Sequence, residues 1–428
     1  MSNPSRILAD PAATPPPYPK LEVLNPAIAE QCTPPIARVL PRVHVVHGET
    51  RVDDYHWLRE RENPEVIAYL EAENRHAEEV MRHTRDLQER LYHEMRNRIR
   101  ETDLSVPERV DDFLYYTRTE AGGQYPIFCR RRDEDGAAEE VLLDPNPLAE
   151  GRSYLRVGAV EPSPDHRLLA YSVDTSGGEE FTIFIKDLLT GELFEERLER
   201  SSGRMAWAND SLTIFYTVVD QVRRPSSLFR HQVGTGAAND VLVYYEPDAS
   251  FYMDISRTRS RRYLLLDLSS HSSTEVRFTS ADDPTTPFAV VQPRQPGVEY
   301  LVTHHDDRFF ITTNDSAPNF RLVQVQVDRP SREFWTPVLA YRSDTKLDGT
   351  DAFREHLVVY ERTAGLTQVR VIELLSGAEH LVSFPEPVYT VRAHRNPEFD
   401  TTRFRFTYTS MVTPQSVVEY DLRDRSWT

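Results

Sequence analysis

Seven short apolar and aromatic tetrads recur from residue 114 onward at intervals of 45–55 residues, and this period limits the fold more than any other feature of the chain. They begin at Leu114, Leu169, Ile214, Leu264, Phe310, Val358 and Phe406, as in Leu114-Tyr115-Tyr116-Thr117 and Leu169-Ala170-Tyr171-Ser172. Each is followed by an alternating run such as Phe181 to Leu188 or Gln368 to Leu374. Polar turns precede most of them, for example Ser163-Pro164-Asp165-His166-Arg167. Alternation at a period of two reads as half-buried strand, and a unit of roughly fifty residues holds about four such strands. A sandwich would not keep this period through seven cycles. The pattern predicts an all-β chain over residues 108–428, a seven-bladed β-propeller with the tetrads packed between blades.

The chain before the repeat is built differently. Residues 34–107 are expected to hold an entry segment and amphipathic helices. Asn63-Pro64-Glu65 is a helix start with a side-chain cap, a pre-set φ and an acid at the positive end of the dipole. Val66, Ile67, Leu70, Ala77, Val80 and Met81 then follow at near-helical spacing, and Leu87, Leu91, Met95 and Ile99 continue the stripe. Two helices or one long bent helix fit equally. Residues 1–33 carry seven prolines, a composition that favours extended, solvated chain, and are expected to form a flexible tail.

Composition excludes several functions. A formal charge of −18 leaves no basic stripe to neutralise phosphates, so no nucleic-acid partner is expected. No run approaches the ~20 apolar residues of a membrane span, and no apolar leader opens the sequence. The only cysteines are Cys32 and Cys129, too few for a disulfide framework, which points to a reducing, cytoplasmic setting.

Several separated motifs carry a family resemblance. Pro34-Pro35-Ile36-Ala37-Arg38 leads to His47-Gly48-Glu49-Thr50-Arg51-Val52-Asp53-Asp54-Tyr55-His56-Trp57-Leu58-Arg59, and Asn63 to Asn74 follow. Trp207-Ala208-Asn209-Asp210, Arg362 to Thr367 and Tyr408 to Pro414 occur further along in the same order. These segments resemble the prolyl oligopeptidase family of serine peptidases, in its oligopeptidase B branch. The resemblance implies a propeller that covers an α/β-hydrolase domain and admits short peptides through a narrow channel. It also implies cleavage after Arg or Lys by a Ser-Asp-His triad, and helices that pack on the hydrolase domain. On this reading the chain is the N-terminal part of such an enzyme, inactive alone.

The residues of catalysis are not found. A hydrolase of this kind needs a glycine-flanked serine on a tight strand-to-helix turn, and no G-x-S-x-G occurs. Ser176-Gly177-Gly178 comes nearest, but it lacks the first glycine and reads as a hairpin loop. His304-His305-Asp306-Asp307 has the residue types of a metal site, yet adjacent residues of a strand point to opposite faces. His44 and His47 read as structural polar groups. Arg257, Arg259, Arg261 and Arg262 read as a solvated blade edge. Gly122-Gly123 reads as a turn, with no helix behind it to cradle phosphate. No catalytic, cofactor-binding or metal-ligating residue is therefore assigned, and no cofactor is expected. Two other readings remain open: a stand-alone propeller that binds peptides or proteins, and the propeller of a prolyl oligopeptidase that cuts after proline.

Overall fold

The computed structural model describes residues 33–427. The proline-rich stretch read as a tail thus lies outside the described residues apart from Thr33. Two compact units divide between Arg100 and Glu101.

The first unit opens with a hairpin, Arg42–Val46 paired to Glu49–Asp53, whose turn residues His47 and Gly48 both have positive φ. That geometry matches strand twist and is cheapest at glycine. Trp57 is buried and donates its indole N–H to the Arg38 carbonyl at 2.8 Å. Arg38 in turn pairs with Glu65 at 2.7 Å. The helix Pro64–Met81 starts as its sequence dictates, because Asn63 Oδ1 accepts the Glu65 N–H at 2.9 Å. A 3-10 turn, Arg82–Thr84, joins it to Arg85–Arg96 without a break. Val66 is buried, whereas Ile67, Leu70, Met81, Leu91 and Met95 of the apolar stripe are exposed.

The second unit consists of six antiparallel sheets, numbered I to VI along the chain. Sheet I spans residues 103–143, sheet II 156–245, sheet III 252–292, sheet IV 300–339, sheet V 345–381 and sheet VI 389–427. Five of them are blades of four or five strands; sheet II is one continuous sheet of seven strands. The expectation of seven separate blades is therefore corrected: five discrete blades stand beside one seven-stranded sheet that takes up the units of Leu169 and Ile214. The cause is the ten-residue strand Leu198–Trp207. Its first part pairs with Phe181–Asp187 and its second with Thr213–Val219, so one strand closes one repeat and opens the next with no turn between them.

The tetrads all fall on the second strand of their units. Leu169, Ile214, Leu264, Phe310, Val358 and Phe406 are buried, while Leu114 is half-buried and its neighbour Phe113 is buried instead. They do not all face the same way. Leu264 packs with Phe215 of sheet II behind it, but Phe310 packs with Leu347 and Leu357 of sheet V ahead of it. A one-residue difference in register sends the side chain to the other face of the sheet.

Apolar clusters fill the space between consecutive sheets from I through VI. Sheets VI and I meet differently. Among the described residues the links there are polar: the Asp111 N–H to Glu398 at 2.8 Å, Arg405 to the Pro107 carbonyl, and Arg395 to Glu108 at 3.5 Å. A ring therefore closes on hydrogen bonds and ion pairs at one seam and on packed side chains elsewhere.

Candidate functional site

Sheets I and II, with Arg257 and Arg261 of sheet III and His394, Arg395 and Val417 of sheet VI, line a cavity of about 1080 Å³, larger than most small-molecule sites. Two irregularities shape its wall. The pairing of Arg156–Pro162 with Leu168–Asp174 shifts between Val157 and Val160, and that of Leu198–Trp207 with Thr213–Val219 shifts between Ser201 and Met205. Such bulges re-aim side chains. Glycine is required in the first: a Cβ on Gly158 would lie 2.4 Å from Ser172 Oγ. Gly203 sits at φ +87° against the Phe181 ring, and the next residue, Arg204, is exposed on the cavity wall.

The charge on this wall is opposite to that of the chain. Six arginines (156, 204, 223, 257, 261 and 395) face four carboxylates (Glu108, Asp111, Glu161 and Glu179). Arg261 pairs with Asp111 at 2.7 Å, Arg156 with Glu179 at 3.7 Å, and Arg223 with Glu180. Arg395 lies 3.5 Å from Glu108 and 3.8 Å from Glu161, too far for hydrogen bonds. Arg257 makes one side-chain hydrogen bond, to the neutral Asn209 Oδ1 at 3.2 Å. Among the described residues Arg204 makes no ion pair. Burial pushes the Glu161 carboxyl above its ordinary range against the pull of Arg395 and Arg257. Burial, reinforced by Arg261, lowers Arg257.

One end of the cavity is crossed by the turn Thr258–Arg262 of sheet III. Arg261 reaches Asp111 of sheet I with both carboxylate oxygens in range, and His166 Nε2 approaches the same carboxylate at 3.0 Å. All of sheet II lies between sheets I and III in the ring. Arg259 reaches the other way, to Asp351 and the Ala352 carbonyl of sheet V and to the Asn396 carbonyl of sheet VI, with its guanidinium 4.8 Å from the Phe353 ring centre. The turn thus ties three non-neighbouring sheets together over the axis. The reading of Arg257, Arg259 and Arg261 as a solvated edge is corrected: Arg257 and Arg261 line the cavity, and Arg259 is bonded to sheets V and VI beside it. Arg262 bonds the Asp306 carbonyl at 3.3 Å on the exposed side.

The other sequence candidates fall elsewhere. Asp174 organises the Ser176 turn, accepting from the backbone N–H groups of Ser176, Gly177 and Glu179 and from Ser176 Oγ at 2.9 Å, with no histidine among its partners in the described residues. His304 Nδ1 meets Ser260 Oγ at 2.7 Å, and burial, aided by Arg262, depresses it to about 4. His305 Nε2 meets the Arg354 carbonyl at 3.0 Å, so the two histidines share no ligand sphere. Gly122 takes φ +83° in a hairpin turn. In the first unit the ligand atoms of His44, Asp53 and His56 lie within 4.8 Å of one another, a grouping that sequence reading missed by leaving His56 out. There the Arg42 guanidinium occupies His56 Nε2, and Tyr55 N–H holds Asp53 Oδ1 at 2.9 Å.

Sequence reasoning also missed Glu161, Arg204 and the pair Asp254 and Asp267. The pair sits directly opposite across the first two strands of sheet III. Its one local signal is an acid placed between buried apolar residues, Met253-Asp254-Ile255 and Leu266-Asp267-Leu268.

Comparison with known proteins gives this geometry a lineage. The sequence model of the prolyl oligopeptidase N-terminal β-propeller domain matches residues 34–427. Dipeptidyl aminopeptidase BI of Pseudoxanthomonas mexicana is 39% identical over 93% of this chain and 57% of its own length. Protease 2 of Moraxella lacunata is 36% identical over 91% of this chain and 57% of its own. The structure of oligopeptidase B from Leishmania major superposes with a TM-score of 0.88 at 28% identity, covering 93% of this chain and 60% of that one. The chain thus spans less than two thirds of the length of the relatives it matches. By the domain match over residues 34–427 and the sheets just described, it belongs to the prolyl oligopeptidase family and corresponds to that family's N-terminal propeller portion.

Proposed function

We propose that this chain is the substrate-admitting part of an oligopeptidase B-like serine endopeptidase that cuts short peptides after Arg or Lys in the cytoplasm. Nucleophile, base and oxyanion donors would come from an α/β-hydrolase domain outside these residues. Residues 34–107, with their exposed apolar stripe, would pack on that domain. The observation that carries the reading is the cavity of about 1080 Å³ in a propeller of this family, crossed on one side by the Arg259 and Arg261 ties. A cavity crossed in this way admits an unfolded peptide strand and excludes a folded domain, which is the selection an oligopeptidase needs. Among the described residues no helix is long and apolar enough to cross a membrane.

A hybrid tests this. The corresponding segment of Protease 2 of Moraxella lacunata is replaced by this chain, and hydrolysis is followed on short peptides with Arg, Lys or Pro before the scissile bond. The expected result is cleavage after Arg and Lys, with folded proteins containing the same sequences left uncut. A folded hybrid that cuts after proline, or that degrades folded proteins as fast as peptides, overturns the reading.

A further inference from the structure

The crossed end of the cavity holds more positive charge than it neutralises. Arg257 is the last residue of the strand Tyr252–Arg257 and therefore stands beside the crossing turn. Of its five N–H donors, one is used among the described residues, and on a neutral amide. Arg204 lies three residues before the end of its own strand, about 10 Å up the wall at ~3.3 Å per residue. Arg204, Arg257 and Glu161 all line this cavity, and both guanidiniums pull on the Glu161 carboxylate. The groups there are Arg204, Arg257 and Arg395 against Glu108 and Glu161, and Arg395 already spans both acids. Asp254, the other acid near Arg204, is pushed toward its neutral form by burial. Glu161 and Asp111 act on Arg257, but among the described residues it forms an ion pair with neither, and its planar fork suits a carboxylate.

The end group of any extended ligand is what meets this place, because the Arg259 and Arg261 ties stop the chain from passing through. We propose that the crossed end of the cavity docks the C-terminal carboxylate of a short peptide on Arg257, with Arg204 as the second cation. This rests on the peptide-admitting reading above and adds what that reading leaves open, namely which end of the peptide leads and what receives it. Amidated peptides and peptides too long for the cavity would lose this contact.

The test uses the whole chain and hexapeptides that carry a fluorophore on the N-terminus. One ends in a free carboxylate, one in an amide, and one in an amide with a glutamate side chain at the last position. Fluorescence anisotropy is expected to show the free acid bound at least tenfold more tightly than either amide. Arg257→Met should reduce the acid to the level of the amide, Arg257→Lys should restore part of the difference, and Arg308→Met, outside the cavity, should change nothing. Circular dichroism and melting temperature check that each variant is folded. Equal binding of acid and amide overturns the proposal while the hybrid enzyme can still show Arg/Lys cleavage, so the two failures are distinguishable. Equal binding of acid and glutamyl amide overturns the C-terminal assignment, and no binding of any peptide to the folded chain overturns it as well.

Discussion

Replacing Asp267 by asparagine should make the propeller more stable at pH 8 than at pH 5, relative to the native chain. Asp267 lies between Leu266 and Leu268, both fully buried, and opposite Asp254 on the neighbouring strand. Burial raises its carboxyl from 3.8 to about 7, with the charge of Asp254 adding to the effect. Between those two values the folded chain holds a proton that the unfolded chain has released. Folding stability therefore falls as pH rises through this window, and the loss is complete above about pH 7. At about 1.4 kcal/mol per pH unit the full gap bounds the cost near 4 kcal/mol. The interval from pH 5 to pH 7 holds about two thirds of it, and sharing of the proton with Asp254 reduces the effect further. An expected gain for Asp267→Asn of about 1–2 kcal/mol between pH 5 and pH 8 follows, since the amide keeps the shape and cannot ionise. Urea unfolding followed by tryptophan fluorescence measures it, with Trp207, Trp335 and Trp427 all in the propeller unit. A difference between variant and native chain that does not change with pH would refute the reasoning. So would a variant less stable than the native chain at pH 8, because that would make the carboxylate a structural acceptor.

Truncating Leu169, fully buried between sheets I and II, should cost about 2–5 kcal/mol, whereas Leu114→Ala should cost clearly less because Leu114 is half-buried; paired urea titrations compare them. A fluorophosphonate serine probe should leave the chain unlabelled, and stoichiometric labelling at Ser176 would show that its turn is a nucleophile site after all. The helix side chains Ile67, Leu70, Met81, Leu91 and Met95 should bind a hydrophobic dye, and protease should cut between Arg85 and Arg100 before it cuts the sheets. Dye binding unchanged after Leu70→Glu and Met95→Glu would place the apolar surface elsewhere.

What was legible in the sequence is what neighbours in the chain decide. Asn63, Pro64 and Glu65 specify a helix start through bonds made within three residues, and that start forms as written. The tetrads sit on second strands because an alternating run follows each of them and a polar turn precedes most. Register was not legible at the same level. Leu264 and Phe310 open their tetrads alike but face opposite neighbours, and only the pairing partner on the adjacent strand decides which. The separation of blades failed for a similar reason: the run Leu198 to Trp207 contains no proline and only Gly203 as a break, and it continues through the boundary that the period implied.

The site was hidden more deeply, because its groups are joined by contacts that cross the ring. Arg259 and Arg261 are ordinary surface arginines by their local sequence, in a chain whose excess of acid makes solvated arginines unremarkable company. Their partners Asp351 and Asp111 lie 92 and 150 residues away. No period, cap or turn rule spans that separation. Closure of the ring is what brings a turn of sheet III over the axis, and once there an arginine must find an anion or bear the cost of burial. Arg259 and Arg261 find theirs. Among the described residues Arg257, delivered there by a strand terminus, forms no ion pair, and Arg204, set higher on the wall beside a bulge and exposed, forms none either. An electropositive cavity end inside a chain of net charge −18 is thus a property of the assembled ring, and it separates the ligand preference of the cavity from the one that the overall charge would imply.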